Sequence, residues 1–130
     1  MMNKATVLIA EDEFLILEGS IRPLLESEFA IVAAVGDGLE AVAAAEEHRP
    51  DIVLLDISLP GLQGFDAARK ILACQPDCKV VFVSCYSDSA YIEAAREIGA
   101  SGYVLKNRIA SELVPAIRLV QTGQFYRPAV

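Results

Sequence analysis

Five short apolar runs alternate with five stretches of helical periodicity along this chain, and that alternation limits the folds open to it. The apolar runs cover residues 6–10, 30–35, 52–55, 79–83 and 102–105. The helical stretches cover residues 14–28, 39–48, 65–74, 90–98 and 112–121. Because strand–helix–strand connections produce parallel strands, the pattern predicts a doubly wound α/β domain with helices on both faces of a parallel sheet.

Several residues at the segment boundaries predict local structure. Ser89 and Ser111 precede helical stretches and are predicted to be N-caps. Pro23 lies four residues after Gly19 within the first helical stretch, where a proline removes a backbone hydrogen bond. We therefore expect that helix to bend.

Composition excludes several classes of protein. The chain of 130 residues has a net charge of −7, so it lacks the excess of basic residues that would let it bind nucleic acid by itself. No apolar run approaches the roughly 18 residues that span a bilayer. The three cysteines, Cys74, Cys78 and Cys85, are odd in number and form no CxxC pair, which favours reduced thiols and a cytoplasmic location.

Polar residues follow four of the predicted strands. Asp56 ends the run 52–55, and Glu11-Asp12-Glu13 follow the first run. Ser84 and Lys106 follow the fourth and fifth runs. Each alone has a structural explanation as a cap, a turn residue or a solvated strand end. Because the carboxyl ends of parallel strands meet at one crevice, the four together predict a ligand or catalytic site there.

The residue types in this crevice indicate its chemistry. Crowded carboxylates repel each other unless a cation neutralises them, and an oxygen-only ligand set suits Mg²⁺. A carboxylate beside Mg²⁺ is a competent nucleophile toward phosphorus and forms an aspartyl phosphate. Lys106 and Ser84 supply donors for the phosphoryl oxygens.

The chain resembles the receiver domain of two-component response regulators. The resemblance is carried by residues 7–13, by 51–64 with Asp56 and Pro60, by 81–84 and by 99–106, and it covers about residues 5–122. Residues 116–123 and 126–128 are similar to the NarL/LuxR subgroup, in which the receiver precedes a DNA-binding domain. The implied fold is a five-stranded parallel sheet of order 2-1-3-4-5, flavodoxin-like or CheY-like. The implied organisation is a receiver domain over 1–122, with 123–130 as a tail that begins a linker to an output domain outside this chain.

The resemblance also implies roles for individual residues. Asp56 is the implied phosphoacceptor. Asp12, Asp56 and the backbone carbonyl of Ser58 are the implied Mg²⁺ ligands, with Glu11 in the outer sphere. The implied phosphate-binding and switch groups are Ser84, Lys106 and the backbone of Cys85. Tyr103 is the implied rotating aromatic.

Some positions depart from the family pattern. Glu11 is longer than the aspartate often found there, and Cys85 stands where a small residue is usual. Asn107 replaces a common proline after Lys106, which weakens any expectation of a cis peptide. Ser58 and Tyr86 flank the phosphoacceptor and are expected to tune hydrolysis of its phosphoryl group.

The implied function is a phosphorylation switch, not a metabolic enzyme. A sensor histidine kinase or phosphotransfer protein donates the phosphoryl group, and the domain catalyses only its own phosphotransfer and dephosphorylation. The change then alters a partner or homodimer contact to control transcription, with no direct contact of this domain to nucleic acid or membrane. The alternative is a stand-alone signalling receiver. An aspartyl-phosphate hydrolase is disfavoured by Ser58 where it needs a second aspartate, and a phosphorylation-independent module by the presence of Asp56 and Lys106.

Overall fold

A computed structural model describes residues 4–128, whose five strands form one parallel sheet in the order β2-β1-β3-β4-β5. The strands are β1 Thr6–Ala10, β2 Ala30–Val35, β3 Ile52–Leu55, β4 Lys79–Ser84 and β5 Gly102–Leu105. All four neighbouring pairs are parallel. The all-parallel pairing confirms the prediction from the alternating segments, and the strand order confirms the order that the family resemblance implied.

Helices follow each strand. The first, α1, covers residues 14–25, and the others are α2 Gly38–His48, α3 Gly64–Cys74, α4 Ser89–Glu97 and α5 Ile109–Gln121. Both predicted serine caps are wrong. The N-cap of α4 is Asp88, whose side chain accepts a hydrogen bond from the Ala90 N–H at 2.9 Å. Ser111 lies inside α5, because a 3₁₀ turn at Lys106–Arg108 starts the helical path earlier.

Helix α1 is irregular where its sequence predicts a bend. Its middle part, Leu17–Ile21, is a π-helix between two short α-helical parts, Phe14–Ile16 and Arg22–Leu25. Pro23 has no N–H to donate within the helix. The wider turn brings the Arg22 N–H to the Leu17 carbonyl instead, so the irregularity takes the form of a π segment.

The sheet is buried on both faces. Alternate residues of β1 pack into different cores, with Leu8 in the core under α2, α3 and α4 and Ile9 in the core under α1 and α5. All four residues of β3 are buried, as is typical of an apolar strand at the centre of a parallel sheet with helices on both faces. The central strands are therefore held on two sides, which fixes the positions of the residues at their carboxyl ends.

The tail after α5 lies along the edge of the sheet. The Tyr103 N–H donates to the Tyr126 carbonyl and the Tyr126 N–H donates to the Ser101 carbonyl, both at 3.0 Å. Tyr126 thus forms a parallel bridge with Gly102. Residues 4–128 contain no helix that is both long enough and apolar enough to span a membrane.

Candidate functional site

The carboxyl edge of the sheet holds Asp56 in a rigid setting. Asp56 is buried, and its N–H donates to the Ala10 carbonyl at 3.1 Å, which ties it to the end of β1. Its Oδ1 accepts a hydrogen bond from the Ser58 N–H at 3.2 Å. The next helix starts so close that a Cβ on Gly64 would overlap the Asp56 carbonyl oxygen. Neighbouring backbone on two sides therefore fixes the Asp56 side chain.

Glu11 and Asp12 add carboxylates at the end of β1. The Glu11 N–H donates to the Val35 carbonyl at 3.0 Å, and its side chain turns inward and is buried. Burial raises the pKa of Glu11, and the nearby Asp56 charge raises it further. Asp12 is exposed, yet a carboxylate oxygen from each of Glu11, Asp12 and Asp56 lies within 4.8 Å of the other two.

This acidic cluster fits a hard divalent cation. Among the described residues, Glu11 Oε1 is buried and lacks any hydrogen-bond partner, which costs free energy unless another group satisfies it. The donors are all carboxylate oxygens, which suit Mg²⁺ better than a thiophilic metal. The predicted metal-binding carboxylates are therefore brought together by the fold.

Lys106 is the cation that the structure already places in this cluster. Its Nζ donates to Asp56 Oδ2 at 2.8 Å, to Glu13 Oε1 at 2.8 Å and to Glu11 Oε2 at 3.1 Å. Burial acts to lower the pKa of Lys106, but the hydrogen bonds to Asp56 and Glu13 outweigh it and the pKa is raised. Lys106 is therefore an ammonium ion aimed at Asp56. Its contact with Glu13 was not predicted, because the sequence shows three adjacent acids with nothing to distinguish their directions.

Ser84 lies across the same pocket. It is the last residue of β4, and its buried hydroxyl accepts a hydrogen bond from the Tyr86 N–H at 3.0 Å. The pocket has a volume of about 250 Å³. Its lining consists of Asp12, Glu13, Asp56, Ser58, Ser84, Cys85, Tyr86 and Lys106. The fold thus gathers the acceptor, the hydroxyl, the ammonium and the exposed Cys85 around one small polar space.

Tyr103 does not line this pocket and reaches it through Tyr86. The Tyr103 ring is fully buried, and burial raises the pKa of its hydroxyl. That hydroxyl donates to the Tyr86 carbonyl at 2.7 Å. The Tyr86 carbonyl accepts a hydrogen bond from the Tyr103 hydroxyl, and the Tyr86 N–H donates one to the Ser84 hydroxyl. One loop residue therefore connects the two predicted switch side chains.

Tyr86 also covers one side of the site. Its Oη lies 3.0 Å from Ser58 Oγ, and its ring stacks on Tyr91 with 4.6 Å between centroids and 12° between planes. The sequence identified Ser58 and Tyr86 as flanking positions but missed the stack. The sequence does show Tyr91 near the start of a predicted helix. The direction of its side chain depends on how α4 packs, so the sequence alone does not predict the stack.

Comparisons with known proteins identify the family of this chain. The sequence profile of the response regulator receiver domain matches residues 7–118. This chain belongs to the response regulator receiver domain family. The receiver domain shares 34% identity and a TM-score of 0.89 with a LuxR-family two-component response regulator from Aurantimonas sp. SI85-9A1, covering 95% of this chain and 89% of that one. The signal receiver domain of the putative response regulator NarL from Mycobacterium tuberculosis has 29% identity and a TM-score of 0.86, with 95% and 100% covered.

Curated relatives are longer than this chain. The transcriptional regulatory protein DegU of Brevibacillus brevis is 38% identical over 130 residues, which cover 98% of this chain and 55% of that protein. The transcriptional regulatory protein PdtaR of Mycobacterium tuberculosis is 42% identical over 113 residues, which cover 87% and 55%. The receiver domain thus spans about half the length of these relatives. The similarity to the LuxR-family regulator and to the NarL receiver domain confirms the predicted resemblance to the NarL/LuxR subgroup.

Proposed function

We propose that this receiver domain accepts a phosphoryl group on Asp56 from a histidine kinase or phosphotransfer protein and thereby switches a protein contact. The observation that carries the proposal is the 2.8 Å contact between Asp56 Oδ2 and Lys106 Nζ inside the acidic pocket. The hydrogen bond from the Lys106 ammonium holds one oxygen of the buried Asp56 carboxylate in a fixed position, and a carboxylate oxygen is a nucleophile toward phosphorus.

The geometry favours Asp56 over its acidic neighbours as the acceptor. Asp56 is oriented by Ser58 and Lys106 and lines the pocket. Glu11 is buried behind the pocket lining, and Asp12 is exposed. Orientation matters because a fixed nucleophile meets the phosphorus atom with less loss of entropy in the transition state.

The proposed transfer balances without any further reactant. An Asp56 carboxylate oxygen forms a bond to phosphorus as the P–N bond of the donor phosphohistidine breaks, and the electron pair of that bond stays on the imidazole nitrogen. Lys106 donates to a phosphoryl oxygen, and the Ser84 hydroxyl and the Cys85 N–H are the further donors. These groups stabilise negative charge that develops on the phosphoryl oxygens.

Mg²⁺ is the proposed cofactor. Asp12, Asp56 and the Ser58 carbonyl would hold it directly, and Glu11 would hold it through water with its unpartnered Oε1. When bound, the ion would neutralise the carboxylates and the incoming phosphoryl oxygens. Lys106 remains the protein's own positive charge at the site.

The proposed output of the switch runs through Tyr86. A phosphoryl group adds about −1.5 to −2 charges and attracts the Ser84 hydroxyl. Ser84 and Tyr103 both contact the backbone of Tyr86, so moving Ser84 disturbs the hydrogen bond that holds the Tyr103 hydroxyl. The face formed by α4, β5 and α5 then changes its contact with a partner or a second copy of the chain.

Control of transcription is the proposed biological output of the phosphorylation switch. The supporting observation is that relatives named as transcriptional regulatory proteins are longer and match this chain over about half their length. In this proposal residues 123–130 begin a linker to an output domain outside the chain, and the receiver itself contacts neither nucleic acid nor membrane. A stand-alone signalling receiver is the alternative, and sequencing the gene beyond codon 130 decides between them.

Labelling by a small phosphodonor tests the proposed function. Acetyl phosphate with Mg²⁺ is expected to add one phosphoryl group to the wild-type domain, seen by intact-protein mass spectrometry, and none to Asp56→Asn. Asp77→Asn is the matched control, because Asp77 is exposed in the loop before β4, at the opposite edge of the sheet. Equal labelling of Asp56→Asn and wild type would overturn the assignment.

A further inference from the structure

We infer that Glu13 is a positioning residue that occupies one hydrogen-bond donor of Lys106 in the unphosphorylated domain and yields that donor to the phosphoryl group. The inference rests on the proposed function of Asp56 and adds a regulator of the same site. It begins from the 2.8 Å contact between Glu13 Oε1 and Lys106 Nζ.

Lys106 has no N–H donor to spare. An ammonium group carries three N–H donors and no acceptor. In this structure the three are used by Asp56, Glu13 and Glu11, at 2.8, 2.8 and 3.1 Å. A phosphoryl oxygen that binds Lys106 must therefore displace one of these carboxylates.

Glu13 is the carboxylate that a phosphoryl oxygen displaces most easily from Lys106. The Glu11 side chain is 2% exposed and its Oε2 also accepts the Glu13 N–H at 3.0 Å, so it is held in place. Asp56 is 6% exposed and is itself the acceptor. The Glu13 side chain is 57% exposed, so water solvates its carboxylate on leaving at little cost. Glu13 is thus the replaceable partner.

Glu13 acts on Lys106 both before and after a phosphoryl group arrives. Glu13 holds Lys106 over Asp56 before a donor arrives, and afterwards it competes with the phosphoryl oxygens for the same N–H. Removing its carboxylate frees that N–H and removes a nearby negative charge. Exposed ion pairs are weak, so the phosphoryl-bearing state should gain about two- to fivefold in relative population.

Beryllofluoride, a non-covalent phosphoryl mimic, tests the inference in the presence of Mg²⁺. Its affinity for the whole chain is measured by titration calorimetry for wild type, Glu13→Gln, Glu13→Asp and Glu46→Gln. Glu13→Asp keeps the charge but shortens the side chain away from Lys106. Glu46 is an exposed acid on α2 outside the site and controls for net charge.

The expected result is that Glu13→Gln and Glu13→Asp both bind about two- to fivefold more tightly than wild type, and Glu46→Gln binds like wild type. A merely structural role of Glu13 would weaken binding instead. Unchanged or weaker binding in Glu13→Gln overturns the inference, and so does tighter binding in Glu13→Gln alone, since that is a general charge effect. If wild type itself does not bind beryllofluoride, the proposed function fails with it.

Discussion

Lys106 Nζ and Asp56 Oδ2 lie 2.8 Å apart, although 50 positions separate the two residues in the sequence and β4 lies between their strands. The lysine reaches across the carboxyl end of β4 to the acceptor. The contact therefore joins the carboxyl ends of β3 and β5, and it depends on the parallel order of the sheet. It also leaves the ammonium among three carboxylates, so changes at Lys106 have consequences for stability as well as for signalling.

Replacing Lys106 should destabilise the domain. Lys106→Met leaves Glu11, Glu13 and Asp56 without their counter-ion, and we expect the free energy of unfolding to fall by about 1–3 kcal/mol. Urea denaturation measures the change, with the exposed Lys70→Met as the control. Added Mg²⁺ should recover part of the loss by neutralising the same carboxylates. Unfolding curves that coincide with wild type would contradict this electrostatic account.

Removing acids should weaken Mg²⁺ binding in a graded way. Asp12→Ala removes a proposed direct ligand, while Glu11→Gln removes only a proposed outer-sphere partner. Loss of an outer-sphere partner lowers metal affinity about tenfold or more, which is the loss expected for Glu11→Gln. Asp12→Ala should lower Mg²⁺ affinity by a larger factor. Calorimetric titration with Mg²⁺ measures both, against Asp77→Asn. Equal affinity in Asp12→Ala and wild type would count against the cation site.

Gly64 should tolerate no side chain. A Cβ there would overlap the Asp56 carbonyl oxygen and the Ile57 Cα, both backbone atoms that support the acceptor. We expect Gly64→Ala to cost about 1–3 kcal/mol of stability and to slow labelling by acetyl phosphate. Gly19→Ala is the control, since nothing lies within 4 Å of its Cβ position. If Gly19→Ala and Gly64→Ala lose the same amount of stability, the loss cannot be assigned to the overlap at Gly64, and the prediction is contradicted.

The three thiols should react at different rates. Burial, helped by the nearby Asp51, raises the pKa of Cys78 to about 11, whereas Cys74 and Cys85 are exposed. Iodoacetamide at pH 8 should modify Cys74 and Cys85 first, as followed by peptide mass spectrometry. Because the folded state raises this pKa from 9.0, its contribution to stability is complete below pH 9 and is lost as pH rises toward about 11. Early modification of Cys78 would show that the structure opens there.

The sheet and most of the site follow from local sequence. The run 52–55 is apolar throughout because β3 is buried on both faces, and Asp56, Ser84 and Lys106 follow directly from strand ends. Their convergence needs only the parallel order. The pocket lining confirms that these three, with Asp12, meet at one place.

The remainder depends on side-chain direction and could not be predicted. Glu13 has the same chemistry as Glu11, and only the backbone turn after β1 sends one inward and leaves the other reaching Lys106 from the surface. The stack of Tyr86 on Tyr91 depends on how α4 sits against the loop after β4. The start of α5 at Ile109 depends on the 3₁₀ turn before it, and that turn has no side-chain cap that the sequence could have indicated.

Borohydride reduction tests the central claim most directly. Sodium borohydride converts an aspartyl phosphate to homoserine, so the labelled residue can be located by peptide sequencing in a mass spectrometer. After treatment with acetyl phosphate and Mg²⁺, the account predicts homoserine at position 56 and nowhere else. Homoserine at position 12, or no reduction product at position 56 in a labelled protein, would contradict it.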